Sequence, residues 1–218
     1  MIKVVSFDWD GTLANTKIGA MIVANRVLEK RGLPAVDEKF FATVCHAGTE
    51  YLIAACAKVP CPTDESKKLQ KEFDDEYLNY PDYELFNNAK VVLDELKKRG
   101  IKLAICTNKT PEILKKQMQL KNIEKDFDLI LCDDGKIPLK PDPTMVHMMV
   151  ENFNCKPEEI LFVGDSFTDM EAGRRAKAIT VYCTFGFGDI TNTPYPPDYR
   201  IDDMIEILDI VKNFKENS

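Results

Sequence analysis

Val4-Val5-Ser6-Phe7-Asp8-Trp9-Asp10-Gly11-Thr12-Leu13-Ala14-Asn15-Thr16 decides the fold. A short run dominated by β-branched and aromatic residues leads straight into two carboxylates one residue apart, then a glycine and a hydroxyl. Nearly continuous apolar character suits a strand covered on both faces. Such a strand delivers Asp8 and Asp10 at its carboxyl end, the edge of an open parallel sheet where ligands bind. Two aspartates this close repel each other unless a cation or a proton lies between them. The pattern suits a metal-assisted nucleophile site better than a turn that only shapes the chain.

Working outward, most of the chain alternates strand and helix. Helical spacing runs from Ala89 to Arg99, with Gly100 as the stop. A strand follows at Lys102–Cys106. Thr110 and Pro111 then open another helix as N-cap and first helical residue. A strand at Asp128–Cys132, a helix at Pro143–Phe153, a strand at Ile160–Val163, a helix at Asp169–Ala176 and a strand at Thr180–Cys183 complete the pattern. Asp202–Phe214 reads as a closing amphipathic helix. This order implies an α/β fold with a doubly wound, mostly parallel sheet. Residues 16–81 break the alternation. Ile18–Lys30, Glu38–Cys45, Glu50–Ala57 and Asp64–Tyr80 all carry helical patterns, with no convincing strand between them. The expected organisation is a core from residues 1–15 and 82–218 with an all-helical insert at 16–81. Gly186–Tyr199, rich in glycine and proline, reads as an irregular surface excursion.

The opening motif resembles that of the haloacid dehalogenase superfamily, an apolar strand followed by Asp-x-Asp-Gly-Thr-Leu. Three further family motifs follow in order. A strand runs into Thr107-Asn108-Lys109, a lysine precedes a proline turn at Lys140-Pro141-Asp142-Pro143, and a strand ends in Gly164-Asp165-Ser166-Phe167-Thr168-Asp169. The resemblance covers nearly the whole chain and implies a Rossmann-like core, with the insert as the helical cap of one subclass. It implies that Asp8 is a nucleophile forming an aspartyl-phosphate, and that Asp10 is the general acid and base. Dehalogenases with the same motif lack the second aspartate, so Asp10 favours phosphate chemistry. The implied cofactor is Mg²⁺, a cation that takes hard oxygen ligands. Asp8, Asp10 and Asp165 would hold it, Asp10 through its backbone carbonyl. Asp169 would sit one layer behind, orienting Lys140 or a metal-bound water, although its position also suits a helix N-cap. Thr107 and Asn108, between a strand and a helix N-terminus, can hold phosphate oxygens. Lys140 would neutralise charge on the nucleophile and the transferring phosphoryl group. Lys109 matches a Thr-Asn-Lys variant of phosphoglycolate-phosphatase-like members, or is a surface lysine. Thr184-Phe185-Gly186-Phe187-Gly188 resembles the same group's aromatic-glycine run. Asn15 replaces an acidic residue that many relatives carry near the hinge.

The cap is where substrate choice is expected. His46, Gly48 and Thr49, in the turn His46-Ala47-Gly48-Thr49-Glu50, resemble a cap loop that points into the active site, or form a plain interhelix turn. Arg26, Lys30, Arg31 and Lys58 could meet a substrate anion, though a solvated helix face suits most of them better. The expected function is a Mg²⁺-dependent phosphatase for a small-molecule phosphate ester, similar to phosphoglycolate phosphatases. The alternatives are a sugar phosphomutase of the beta-phosphoglucomutase type, a pyrophosphatase, or a non-catalytic phosphate-binding protein. Mutases typically carry a histidine early in the first cap helix, where this chain has Ala20.

Composition bounds the rest. The 218 residues, 44% hydrophobic and 30% charged, suit one large domain or a core with a smaller insert. A net charge of -7 argues against nucleic acid as a partner. No apolar stretch is long enough for a membrane span, and no signal peptide is evident. The seven cysteines form no Cys-x-x-Cys pair and read as reduced, which suits a cytoplasmic protein. A monomer or weak homodimer is expected.

Overall fold

The structure, a computed structural model, describes residues 1–46, 48–80, 83–191 and 193–216. Its centre is a six-stranded sheet built from β1 (Val4–Phe7), β4 (Lys102–Cys106), β5 (Leu129–Leu131), β6 (Ile160–Gly164), β7 (Ile179–Cys183) and β8 (Tyr199–Ile201). The spatial order is β5-β4-β1-β6-β7-β8, and every pair is parallel. The order reverses at β1, which lies between β4 and β6. The carboxyl ends of these three strands therefore open onto one crevice.

Alternation along the strands divides the core in two. Val5, Phe7, Leu103, Ile105, Leu161 and Val163 face α5 (Ala89–Lys98), α6 (Pro111–Leu120) and α9 (Ile207–Glu216). Val4, Ala104, Cys106, Ile160 and Phe162 face α7 (Thr144–Phe153) and the end of α8 (Phe167–Arg175). The strands read as unbroken apolar runs because both faces are covered.

The insert is all-helical as expected, with α1 (Lys17–Lys30), α2 (Glu38–Val44), α3 (Thr49–Ala57) and α4 (Asp64–Tyr77). Its own apolar cluster centres on Leu28, Phe41, Ile53, Leu69 and Phe73, and reaches the core at Ile113 of α6. The expected boundary at residues 81 and 82 lies outside the described residues. A two-strand antiparallel ribbon, β2 (Ala14–Asn15) with β3 (Glu84–Leu85), ties the two crossings together. Two-residue strands leave no periodic signal, so sequence could not announce them. Asn15 sits in this ribbon, exposed and opposite Glu84.

Several boundaries differ from the sequence reading. β8 lies where only a loop was expected, because three residues on the sheet edge with Tyr199 and Arg200 exposed show no apolar run. The helix expected at Asp169 begins at Phe167, with Ser166 at the N-cap. The closing helix is preceded by a tighter turn over Met204–Glu206, where Asp203 accepts from the Ile205 N–H. Thr110 and Pro111 hold their expected positions, but the Thr110 hydroxyl caps nothing and has no partner among the described residues. All seven cysteines are free thiols.

Candidate active site

Asp8 is the first residue beyond β1, and its N–H donates to the Val163 carbonyl at 2.9 Å. Its carboxylate lies 2.8 Å from Lys140 Nζ. Lys140 is buried and also donates to Asp169 at 2.6 Å and to the Cys106 carbonyl at 2.8 Å. Burial opposes its charge, yet Asp169 and Asp8 outweigh that cost and raise its pKa, so it is a fixed cation. Burial pushes the Asp8 carboxyl up to about 7; Lys140 opposes the rise and Asp169 adds to it.

Asp165 follows β6 and is fully enclosed. A Cβ on Gly11 would fall 2.0 Å from Asp165 Oδ2, and one on Gly186 would fall 2.3 Å from Asp165 Cβ. Only glycines allow this approach. Oδ2 accepts from the Phe187 and Gly188 N–H groups, both at 2.9 Å. The aromatic-glycine run is therefore a backbone cradle for Asp165, which corrects its reading as the start of a surface excursion. Oδ1 is buried with no partner among the described residues, and burial beside Asp169 and Asp8 raises the carboxyl's pKa strongly. Asp8, Asp165 and Asp169 offer oxygens within 4.8 Å of one another. An orphaned buried carboxylate oxygen in an all-oxygen cluster fits a hard divalent cation.

Asp169 is not an N-cap. It lies in the first turn of α8, accepts from the Ser166 N–H and hydroxyl, and turns its other oxygen to Lys140. The Asp10 carboxylate is likewise outside the acidic cluster. It takes both oxygens to Lys109 Nζ, each at 2.8 Å, and accepts from the Thr16 hydroxyl. Lys109 is buried, so it is not a surface lysine.

The second motif divides its labour. Thr107 is buried and lines the cleft. Asn108 brackets Lys140, donating to its carbonyl and accepting from its N–H, both at 2.9 Å. It also donates to the His46 carbonyl at 3.4 Å, which joins the insert to the core. His46, Gly48 and Thr49 all line the cleft; Ala47 lies outside the described residues. Burial lowers the His46 pKa. Ala20 of α1 lines the same cleft and brings no titratable group. Arg26 and Lys30 pair with Glu76, and Arg31 with Glu65 and Glu72. Neither these three nor Lys58 lines the cleft.

The cavity between these groups holds about 60 Å³, and a wider groove of about 520 Å³ adjoins it through His46 and Phe187. Among the described residues, no helix is long and apolar enough to cross a membrane.

Comparison with known proteins identifies the family. A family model described as haloacid dehalogenase-like hydrolase matches residues 5–183. An N-acetylmuramic acid 6-phosphate phosphatase of Pseudomonas putida is 27% identical, over 96% of each chain. A phosphoglycolate phosphatase of Pasteurella multocida is 30% identical, over 96% of this chain and 98% of its own. The crystal structure of a predicted phosphoglycolate phosphatase from Haemophilus somnus superposes with a TM-score of 0.86 at 29% identity, covering 96% of this chain and 98% of that one. With an aspartate at the end of the central strand, a buried lysine and a glycine-cradled aspartate in one crevice, and a family model spanning residues 5–183, the chain belongs to the haloacid dehalogenase-like hydrolase family.

Proposed function

We propose that the chain is a Mg²⁺-dependent phosphatase that hydrolyses a small-molecule phosphomonoester through Asp8. The observation that carries this reading is the Asp8–Lys140 pair at the end of the central strand, beside an Asp165 oxygen that lacks a partner. An Asp8 oxygen bonds to phosphorus as the bond from phosphorus to the leaving oxygen breaks. A proton on Asp10 passes to that leaving oxygen, which departs as an alcohol. Water then attacks the phosphorus carried on Asp8, and Asp10 takes a proton from it. Inorganic phosphate leaves, and both aspartates return to their starting state. Lys140 balances charge on Asp8 and the phosphoryl oxygens, while Asp169 keeps Lys140 in place. The carboxylates of Asp8 and Asp165 and the Asp10 backbone carbonyl would hold Mg²⁺, which supplies positive charge where two anions must approach. Thr107, with the backbone after β4, would receive phosphate oxygens.

Residues 16–81 serve as the cap and 1–15 with 82–218 as the catalytic core. The cap closes the cleft from above and excludes water. Ala20 supports hydrolysis over a mutase, since α1 offers no histidine there. Relatives named for phosphoglycolate and for N-acetylmuramic acid 6-phosphate suggest an anionic or sugar-like ester. The free thiols suit a cytoplasmic protein.

The test is phosphate release from a panel of small esters, with and without Mg²⁺, for the wild type and Asp8→Asn. Metal-dependent release that Asp8→Asn abolishes is the expected result. No release from any ester, with Mg²⁺ shown to bind, would reject it.

A further inference from the structure

The crevice contains two buried lysines, and each serves a different carboxylate. Lys140 is bound to Asp8 and Asp169. Among the carboxylates of the described residues, Lys109 is bound to Asp10 alone, with both of its oxygens at 2.8 Å from Nζ. The Lys109 side chain is 5% exposed, while that of Asp10 is 27% exposed. Both side chains line the cleft, the lysine as the more enclosed partner and the aspartate as the more open one. Tyr77 of the cap helix α4 lays its ring 5.0 Å from the ammonium on another side. The Lys109 carbonyl accepts from the Asp133 N–H at 3.0 Å, which anchors its backbone to the segment after β5. Backbone and ring contacts thus hold Lys109 in place, and among the described residues its ammonium forms an ion pair with Asp10.

We infer that Lys109 is the positioning residue of Asp10: it holds the proton-carrying carboxyl in the orientation that meets the leaving oxygen. The inference rests on the phosphatase reading above. Asp10 stands beyond the end of β1, where its two side-chain torsions are otherwise restrained by the Thr16 hydroxyl. An ammonium shared between both oxygens fixes the plane of the carboxyl. The grip outlasts proton transfer, because a protonated Asp10 still offers acceptor lone pairs to Lys109. Misplacing a catalytic group by about 1 Å costs on the order of a hundredfold in rate.

The test uses two esters that differ in their need for an acid. An alkyl phosphate releases an alkoxide that must be protonated, whereas p-nitrophenolate leaves without help. The quantity to compare is kcat/KM, which reports steps up to departure of the leaving group. Lys109→Met should lower kcat/KM for the alkyl ester about a hundredfold, within the range assigned to general acid catalysis. For p-nitrophenyl phosphate the loss should stay under about fivefold, since that ester draws little on the acid. In an Asp10→Asn background, Lys109→Met should cost less than about twofold more, because residues acting as a unit are not additive. Lys109→Gln keeps a donor beside Asp10 and serves as the second variant; a melting curve establishes that each is folded. Equal losses for both esters, or a full additional loss in the Asp10→Asn background, would overturn the inference and assign Lys109 to substrate binding or to folding. A wild type that hydrolyses neither ester would remove the phosphatase reading itself.

Discussion

Asp74 offers a quantitative test of how the cap meets the core. It lies on α4, one turn before Tyr77, with one carboxylate oxygen buried and unpartnered among the described residues. Burial pushes its carboxyl from 3.8 up to about 7; Lys109 opposes the rise, while Glu112, Asp133 and Asp75 add to it. Below about pH 4 the group is protonated in folded and unfolded chains alike, and it affects stability little. Between pH 4 and 7 the unfolded chain releases a proton that the folded chain keeps, so rising pH favours unfolding. Above pH 7 the full cost is present. Three units correspond to about 4 kcal/mol at ~1.4 kcal/mol each. The carboxyl is partly exposed, and solvent screening reduces this to about 1–2 kcal/mol. Asp74→Asn should therefore stabilise the protein at pH 8 by about 1–2 kcal/mol, a rise in Tm of roughly 2–8 °C for a chain of this size. At pH 4 the two proteins should melt together. Urea titrations at both pH values provide the measurement. A gain of the same size at pH 4 and pH 8, or none at pH 8, would refute the argument that a buried charge sets the effect.

Other substitutions test the site and the insert. Gly11→Ala places a methyl 2.0 Å from Asp165 Oδ2 at a backbone φ of +81°, so divalent-cation affinity measured by calorimetry should fall at least tenfold. Asn108→Ala strands the buried N–H and carbonyl of Lys140, and should cost about 2–4 kcal/mol in a denaturant titration along with most of the phosphatase activity. Phe41→Ala empties the centre of the cap cluster and should cost about 3–5 kcal/mol. Its effect on hydrolysis should grow with leaving-group size, because the wide groove beside His46 has α2 on one side.

Much of the site was legible because its residues sit at strand ends. Once Val4–Phe7 is a covered strand, Asp8 must emerge at the sheet's edge, and the same logic places Thr107 and Asp165. What those residues touch was not legible. Lys109 looks like any loop lysine, and no spacing rule pairs it with a residue 99 positions earlier. Asn108 reads as a phosphate ligand, yet its side chain braces Lys140. Phe187 and Gly188 contribute backbone N–H groups, which carry no side-chain signature at all.

The sequence by itself determined the element order, the crevice and which carboxylates stand at its edge. Hydrophobic period and turn chemistry are local properties, and parallel strands with short connections leave few topologies. The tertiary structure decided which cation belongs to which carboxylate, that Asp10 turns to Lys109 rather than to the acidic cluster, and that three glycines close around Asp165. Those pairings join residues from about twenty to more than a hundred and fifty positions apart and depend on distances of a few ångströms, and only packing of the whole chain sets such distances.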